Sequence, residues 1–360
     1  MKKKIVFCSG GTGGHIFPAI SLINNLSSEN EIILVTDKRA VKYIDIKKYK
    51  IKILNVSSLT KNKLIYNLIS LLKLFYSTFK SIFFLKKEKV DFIIGFGGYV
   101  SFPILLSAKI LNKKIYLYEP NLVLGRTNRF FLSMCEKIFT QTNNIINIPG
   151  KHHTKFVEVG NIIREEIISY SINKNNFKEE NITIIILGGS QGTKIFGEIV
   201  PESILKLKDI FKLKIIQQVL PEQKEKINFF YKKNNIQSHL FTFNENIVEL
   251  IVKADLAISR SGASTIAELE FLQVPFIAVP YARATDNHQY ENALYYKKKG
   301  SCWILEEKNF NSNNLSHLLL EILNTNSNFI NKIKKNISKK VNFDVFKKIR
   351  KEMNIKKIKI

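Results

Sequence analysis

Glycine-rich segments follow three short apolar runs of this 360-residue sequence and offer the clearest chemistry in it. They occupy residues 10–14, 95–98 and 188–192. A glycine turn that leads from a strand into a helix exposes backbone N–H groups at the positive end of the helix, and it lets the backbone approach an anion closely. One such turn serves packing as readily as binding, but three of them together predict sites for phosphate groups.

The same glycines leave a dinucleotide-binding protein as an alternative. The fingerprint of such proteins is GxGxxG, and Gly11 and Gly13 begin it, but Ile16 stands where the third glycine belongs. Asp37 follows the second apolar run, at the place of an acid that binds ribose, so a nicotinamide-dependent oxidoreductase stays open. A Walker A loop is excluded, because neither main loop contains GxxxxGK followed by Ser or Thr.

Apolar runs that alternate with helical stretches must position these loops. They are residues 5–8, 32–35, 51–56, 92–94, 115–118 and 138–140 in the first half, and 182–187, 213–219, 240–243, 256–259, 276–279 and 302–305 in the second. Buried runs of this kind predict parallel strands joined by crossover helices. We expect two Rossmann-like α/β domains whose sheets face each other across a cleft, with a boundary near residues 160–180 and a lysine-rich helical tail from residue 331.

The composition describes a globular chain in a reducing compartment. Hydrophobic residues make up 45%, enough for a core in each half. Cys8, Cys135 and Cys302 lie far apart and form no CxxC pair. The net charge of +26 comes mainly from scattered lysines, which is typical of a lysine-rich surface, so we expect no nucleic-acid partner. Since the sequence contains no DxD motif, it offers no evident acidic pair to hold a metal against a diphosphate.

The segment 59–89 is the part of the sequence that points to a membrane. No signal peptide is visible and no run reaches about 18 uninterrupted apolar residues, so we expect a cytosolic chain without a spanning helix. In 59–89, polar residues recur every three or four positions, and the remaining arc is apolar, aromatic and wider than packing on one side requires. Lys86, Lys87 and Lys89 close the segment. This pattern predicts peripheral docking on an anionic leaflet, although a buried crossover helix explains part of it.

Taken in order, the motifs resemble one known family. They are GGTGGH at 10–15, GFGGYVS at 95–101, YEPN at 118–121, GGSQG at 188–192, SRSGASTIAE at 259–268 and DNHQY at 286–290. Over most of its length the sequence is similar to the MurG family, the UDP-N-acetylglucosamine:lipid I N-acetylglucosaminyltransferases of peptidoglycan synthesis. The resemblance implies a GT-B fold of two Rossmann-like domains, of which the second, residues 163–340, binds the sugar nucleotide and the first, residues 1–162, binds the lipid-linked acceptor. It also implies that a C-terminal helix in 341–360 packs back on the first domain.

The resemblance also assigns donor-binding roles. Ser190 and the N–H groups around it hold the diphosphate, and Arg164 neutralises charge as the nucleoside diphosphate leaves. Glu268 accepts hydrogen bonds from ribose hydroxyls, although without the resemblance an acid stabilised by a helix dipole is the better interpretation. The other residues expected to contact the donor are Asn244, Ile247, Ala263, Ser264, Thr265, His288 and Gln289.

The first glycine loop is expected to bind the acceptor. Thr12, Gly13 and Gly14 contact it in this interpretation, and His15 is the candidate general base that takes the proton from the acceptor hydroxyl. An equally good interpretation is that His15 only orders the loop or binds the acceptor's phosphate. Glu119 is the second candidate base, and Asn121 is expected to shape the acceptor pocket.

These expectations combine into an inverting glycosyltransferase. It moves N-acetylglucosamine (GlcNAc) from UDP-GlcNAc to the 4-hydroxyl of N-acetylmuramic acid (MurNAc) on a lipid-linked pyrophosphate, at the cytoplasmic face of the plasma membrane, with no cofactor and no metal. The alternatives are another GT-B enzyme that glycosylates a lipid, a nicotinamide-dependent oxidoreductase, and a sugar-nucleotide binding protein without activity.

Overall fold

The chain folds into two units in the computed structural model, which describes residues 2–56, 64–172, 181–189, 192–244, 246–324 and 344–355. Unit 1 comprises Met1–Arg164 together with Asn342–Ile360, and unit 2 comprises Glu165–Val341. Unit 1 is therefore discontinuous in sequence, whereas unit 2 is one continuous segment.

Unit 1 is built on a seven-stranded parallel sheet with the order β3-β2-β1-β4-β5-β6-β7. Its strands are β1 (Lys4–Cys8), β2 (Glu31–Thr36), β3 (Ile51–Ile53), β4 (Phe92–Gly95), β5 (Lys114–Glu119), β6 (Lys137–Thr140) and β7 (Phe156–Glu158). The helices between them are α1 (Gly13–Leu26), α2 (Leu64–Lys87), α3 (Ser101–Ile110) and α4 (Arg126–Phe131). The strand order reverses between β1 and β4, and at such a switch point the carboxyl ends of the strands bind ligands.

Unit 2 has a six-stranded parallel sheet with the order β10-β9-β8-β11-β12-β13. Its strands are β8 (Ile182–Leu187), β9 (Leu213–Gln218), β10 (Gln237–Phe241), β11 (Leu256–Ser259), β12 (Phe276–Ala278) and β13 (Cys302–Ile304). Its helices are α5 (Glu165–Ile172), α6 (Lys194–Leu205), α7 (Lys224–Lys233), α8 (Ile247–Ile251), α9 (Ala263–Phe271), α10 (His288–Lys298) and α11 (Ser312–Asn324). The order reverses between β8 and β11, so both units confirm the predicted Rossmann-like α/β class.

The strands occupy the apolar runs of the sequence, because a strand covered by helices on both faces must be apolar throughout. The runs at 182–187 and 256–259 coincide with β8 and β11. Two strands depart from this rule. The pattern does not predict β7, whose three residues are at most half-buried. Strand β10 begins at Gln237, three residues before the predicted run 240–243, because its first residues are polar.

The last described helix, α12 (Val345–Glu352), belongs to unit 1 although unit 2 precedes it in the sequence. Val345 and Ile349 are buried in the apolar cluster that α1 shares with the sheet. The guanidinium of Arg350 pairs with Glu29, and both side chains are nearly buried. Burial of this apolar face, worth roughly 1.5–3 kcal/mol for each large side chain, holds α12 against α1.

Helix α2 exposes apolar side chains along much of its described length. Ser81 and Leu85 mark the buried face, which packs against α3. Five large apolar side chains are 59–64% exposed: Leu72, Phe75, Tyr76, Phe79 and Phe83. The predicted start of this segment, residues 59–63, lies outside the described residues. Among the helices of the described chain, none has the length and hydropathy needed to cross a bilayer.

Candidate active site

The first glycine loop is locked to the glycines that follow β4. The Gly10 N–H donates to the Gly97 carbonyl at 3.1 Å. Gly98 has φ +78°, and a Cβ atom there would lie 2.8 Å from the Gly10 Cα atom. A side chain at Gly98 would separate the two loops, so this glycine brings the ends of β1 and β4 together at the switch point.

Helix α1 starts directly from this loop and carries the predicted acceptor residues. Thr12 is its N-cap, and its carbonyl accepts hydrogen bonds from His15 N and Ile16 N, both at 3.1 Å. Gly13 and Gly14 begin the first turn, at the positive end of the helix dipole. The loop therefore has the geometry of an anion site.

His15 lies against the third glycine segment and is half-buried. Its ring approaches the positions that Cβ atoms would occupy at two glycines, 3.4 Å from Cε1 at Gly97 and 3.9 Å from Cδ2 at Gly98. The ring thus occupies the space that side chains at Gly97 and Gly98 would otherwise fill. The imidazole stands at the carboxyl edge of the sheet, beside the N-terminus of α1.

Glu119 ends β5 and is only 1% exposed. Its Oε1 accepts hydrogen bonds from Asn121 N (3.1 Å) and Asn121 Nδ2 (2.9 Å), and its Oε2 accepts from Gly125 N (2.9 Å) and Asn128 Nδ2 (2.9 Å). These donors occupy the acceptor positions that a carboxylate offers. The geometry favours a carboxylate that shapes the loop from 119 to 125 over one that receives a proton from substrate.

Asp37 is the acid that could bind ribose in a nicotinamide-dependent enzyme, but here it pairs with Arg39. Its carboxylate accepts from Arg39 N and from Arg39 Nη2, both at 2.8 Å. It packs so closely on the first glycine loop that a Cβ atom at Gly11 would clash with its oxygens. The Arg39 guanidinium lies 4.8 Å from the ring centroid of Tyr99. Asp37 therefore braces the loop and its arginine within unit 1.

Arg164 is the last residue of unit 1, and its guanidinium lies 4.8 Å from the ring centroid of Phe17 on α1. The sequence prediction groups Arg164 with Ser190 at the diphosphate. Ser190 lies outside the described residues, and the structure places the guanidinium of Arg164 on the helix that follows the first glycine loop.

The second glycine loop follows β8 in unit 2 and is held by a side chain from β9. Gly188 N donates to Gln218 Oε1 at 2.9 Å, and Gln218 Nε2 donates to the Thr242 carbonyl at 3.4 Å. A Cβ atom at Gly188 would lie 2.7 Å from Thr193 N. Gln218 is not among the residues predicted from the sequence. Its signal there is a polar residue at the carboxyl end of a strand.

Arg260 connects the second glycine loop to the end of the sheet. It is 7% exposed and forms an ion pair with Glu307. It donates to Thr193 Oγ1 at 3.1 Å and to the Val279 carbonyl at 3.2 Å. Arg260 lies within the motif at 259–268, but the sequence predicts no role for it because its partners are distant in the sequence.

Helix α9 carries four of the predicted donor residues in its first two turns. Ala263 is its first residue, Ser264 and Thr265 are half-buried, and Glu268 is 8% exposed. The loop that leads into the helix contains the Ser261 hydroxyl, which is buried and has no hydrogen-bond partner among the described residues. A helix N-terminus beside an unsatisfied hydroxyl is suited to an oxygen-rich ligand.

The remaining predicted donor-binding residues lie at the starts of α10 and α8. His288 Nδ1 donates to the Thr285 carbonyl at 2.7 Å, and Gln289 Oε1 accepts from Tyr281 N at 3.0 Å. Asn244 Oδ1 accepts from Asn246 N at 2.7 Å, just before Ile247 begins α8. The carboxyl ends of β8, β10, β11 and β12 thus each lead into predicted donor residues.

The described residues contain no group of three or more His, Cys, Asp or Glu side chains with the arrangement of a metal site.

Two family models and several curated proteins match this sequence. The models are the glycosyltransferase family 28 N-terminal domain, over residues 5–140, and the family 28 C-terminal domain, over residues 183–349. The UDP-N-acetylglucosamine--N-acetylmuramyl-(pentapeptide) pyrophosphoryl-undecaprenol N-acetylglucosamine transferase of Pelagibacter ubique is 40% identical over 344 residues, which cover 96% of this chain and 95% of that protein. The protein of the same name from Rickettsia canadensis is 37% identical and covers 89% of this chain and 91% of its own length.

Solved structures share the fold. MurG of Acinetobacter baumannii superposes with a TM-score of 0.79 at 22% identity, over 98% of this chain and 99% of that one. UDP-GlcNAc 2-epimerase from Neisseria meningitidis, bound to UDP-GlcNAc, superposes with a TM-score of 0.65 at 15% identity, over 98% and 100% of the two chains. At these identities the likeness concerns the fold alone, since one fold hosts several chemistries.

Proposed function

This chain belongs to glycosyltransferase family 28, and from that membership we propose that it transfers GlcNAc from UDP-GlcNAc to the 4-hydroxyl of MurNAc on a lipid-linked pyrophosphate. The observation that carries the proposal is the near full-length similarity to curated N-acetylglucosamine transferases. It is a glycosyltransferase. We assign roles to individual residues from their positions at the carboxyl ends of the strands in the two sheets.

Unit 2 binds the donor in this proposal. The N–H groups of the second glycine loop and Ser190 hold the diphosphate, and Glu268 accepts hydrogen bonds from the ribose. Uracil meets the backbone between Asn244 and Ile247. The sugar hydroxyls meet His288 and Gln289: because Gln289 Oε1 is engaged by Tyr281 N, the Nε2 group is the part of that amide suited to donate to a hydroxyl.

Unit 1 binds the acceptor, with its pyrophosphate at the first glycine loop and His15 beside the reacting hydroxyl. The 4-hydroxyl oxygen attacks C1 of GlcNAc, the bond from C1 to the phosphate oxygen breaks, and UDP leaves. His15 takes the hydroxyl proton, and attack from the face opposite the leaving group inverts C1 and gives a β-1,4 bond. Fixed N–H donors and Arg164 stabilise the negative charge that develops on UDP.

Mass spectrometry of a defined reaction tests the function. Purified protein is incubated with UDP-GlcNAc and a short-chain lipid I analogue, and we expect an acceptor that is heavier by one GlcNAc residue, together with one UDP for each product. Omitting the acceptor should stop UDP release. UDP release or epimerised UDP-GlcNAc in the absence of acceptor, with no glycosylated product in its presence, would contradict the proposal.

Chelation tests the proposed absence of a metal from the chemical step. Because backbone N–H groups and arginine are assigned the diphosphate charge, EDTA should leave the initial rate unchanged. Complete loss of activity that one added divalent metal restores would show that the charge is held differently.

We also propose that α2 docks this protein on the cytoplasmic face of the plasma membrane, where the lipid-linked acceptor lies. Its exposed apolar side chains are bordered by lysines: Lys80 Nζ lies 4.3 Å from the ring centroid of Tyr76, and Lys52 Nζ lies 4.0 Å from that of Phe84. Burial is the main cause that lowers the pKa of Lys52; Glu88 opposes this shift, and repulsion from Lys80 and Lys87 adds to it. Apolar surface edged with cations is suited to anionic lipid headgroups.

Flotation with liposomes tests the docking surface. Binding to vesicles that contain acidic lipid should exceed binding to neutral vesicles and should fall as salt rises. Phe79→Ser, and Lys86→Glu combined with Lys87→Glu, should each reduce binding, since one lysine near such a surface contributes about 1 kcal/mol. Phe229→Ser is the matched control, because Phe229 is 69% exposed but lies on α7 of unit 2. Equal recovery with neutral and acidic vesicles would exclude α2 as an anionic-lipid site.

A further inference from the structure

The amide of Asn128, on α4, has a single orientation that its surroundings allow. Asn128 is 1% exposed, and its Nδ2 donates to the Tyr118 carbonyl at 3.1 Å and to Glu119 Oε2 at 2.9 Å. Rotating the amide by half a turn would place its oxygen against both of these acceptors, so the assignment of nitrogen and oxygen is fixed by chemistry.

The other end of this amide is unsatisfied. Asn128 Oδ1 is buried and has no hydrogen-bond partner among the described residues. A buried carbonyl oxygen without a partner costs free energy, so its presence at a carboxyl edge points to a donor that arrives with ligand or with a shift of a neighbouring side chain.

The neighbouring side chain is His15. A Cβ atom at Gly97 would lie 3.6 Å from Asn128 Nδ2, 3.6 Å from His15 Nδ1 and 3.4 Å from His15 Cε1. The imidazole and the amide therefore line the same small space, which glycine keeps clear. Thr127 Oγ1 donates to the Gly98 carbonyl at 3.2 Å and ties the start of α4 to the same loop.

We propose that Asn128 positions His15 for catalysis: with acceptor bound, Asn128 Oδ1 accepts a hydrogen bond from His15 Nδ1–H and leaves Nε2 to take the hydroxyl proton. Glu119 holds the amide in the required orientation by accepting from its Nδ2. As the proton moves to Nε2, the ring becomes a cation, and the hydrogen bond to Oδ1 strengthens because its donor is now charged.

This inference rests on the proposed function, since it assigns His15 the role of base. It changes the part played by Glu119, which acts on the base through Asn128 and does not itself receive the proton. Asn128 is accordingly a positioning residue, and its loss should lower kcat without changing how the donor binds in unit 2.

Nitrogen NMR of histidine gives a readout that a merely structural residue would not change. The chain has six histidines, so a sample labelled on histidine is resolvable, and His15→Gln identifies the signal of His15. With a non-reactive acceptor analogue bound to the wild type, we expect the tautomer that carries its proton on Nδ1. The opposite tautomer of His15, protonated on Nε2, would overturn the proposal whatever the kinetics of the Asn128 variants.

Kinetics of Asn128→Leu supply the second measurement. We expect kcat to fall roughly tenfold to a hundredfold, as for a hydrogen bond to a charged group, with the KM for UDP-GlcNAc unchanged. Asn128→Asp restores an acceptor oxygen but loses both donors, so it should not rescue kcat. Asn30→Leu is the control, because Asn30 is also a buried asparagine of unit 1 and donates to the Leu26 carbonyl at 3.0 Å, away from the glycine loops.

The outcomes separate this inference from the proposed function. If the wild type does not glycosylate the acceptor analogue, the function itself fails. If the wild type is active and His15→Gln is not, while folded Asn128→Leu keeps the wild-type kcat and tautomer, only the positioning role of Asn128 fails.

Discussion

The carboxyl edges of the two sheets hold their glycine loops in different ways. In unit 1 the loops after β1 and β4 touch backbone to backbone, at a distance that leaves no space for a side chain at Gly98. In unit 2 the loop after β8 is held by long polar side chains, Gln218 from β9 and Arg260 from the end of β11. Both edges contain glycines that leave no space for a Cβ atom, but among the described residues only the glycines of unit 1 bring two separate loops into backbone contact.

This difference predicts how the glycine loops of each unit respond to mutation. A backbone contact has no rotamer with which to adjust, so an added methyl group either fits or forces the loops apart. A side-chain contact is one of several around its loop, and its loss leaves the others in place. We therefore expect a mutation in the glycine loops of unit 1 to remove either almost none or almost all of the activity. Mutations around the glycine loop of unit 2 should each remove only part of it.

The largest effect is expected for Gly98→Ala. The left-handed φ and the overlap with Gly10 each cost roughly 1–3 kcal/mol, so the free energy of unfolding of unit 1 should fall by about 4 kcal/mol, with loss of activity. Trp303 is the single tryptophan and lies in β13 of unit 2. Urea denaturation should thus shift the transition seen by circular dichroism but not the one seen by tryptophan fluorescence.

Gly150→Ala is the control for that experiment, because no atom lies within 4 Å of a Cβ at Gly150 in the same unit. It should leave both transitions in place. A stable, active Gly98→Ala would show that the backbone contact is adjustable and would remove the contrast between the two edges.

A smaller effect is expected for Arg260→Leu in unit 2. Breaking a nearly buried ion pair leaves Glu307 without its cation and should lower stability by about 3 kcal/mol, now in the Trp303 fluorescence transition. The kcat/KM for the donor should fall as well, since Thr193 loses its contact. Arg350→Leu breaks a comparable pair in unit 1, so it should spare both the fluorescence transition and the KM for the donor.

Glu268→Ala tests a single hydrogen-bonding group on α9. If Glu268 binds ribose, the kcat/KM for UDP-GlcNAc should fall roughly tenfold to a hundredfold. Glu270 is the matched control: it is equally buried on the same helix but pairs with Lys299 Nζ at 2.5 Å. Glu270→Ala should lower stability and leave donor kinetics unchanged; the reverse pattern would exchange the roles of the two acids.

The smallest effect is expected for Gln218→Leu. One neutral hydrogen bond to Gly188 N is lost, so the KM for the donor should rise roughly threefold to tenfold. Its neighbour Gln217 is fully buried and accepts from Tyr231 Oη at 2.6 Å, inside the core. Gln217→Leu should cost stability and leave that KM alone. If both variants changed only stability, Gln218 would belong to the core and not to the edge.

The sequence predicts the strands of the two sheets well, but it does not predict which side chains hold the glycine loops. Strand β8 is visible as an uninterrupted apolar run because both faces of the sheet are covered, whereas β7 is short and half-exposed and leaves no such pattern. The glycine loops are local features and can be read directly. The contacts of Gln218 and Arg260 join residues distant in sequence, and no local pattern indicates which strand ends become neighbours.

The return of α12 to unit 1 has a consequence for the newly made chain on the ribosome. Unit 2 is continuous and can fold as soon as it emerges, but the core of unit 1 lacks Val345 and Ile349 until residues 165–341 have been translated. At about 5–20 residues per second, that delay is on the order of ten to forty seconds. Throughout it the face of α1 that α12 later covers stays open to water, so the domain that starts first is completed last.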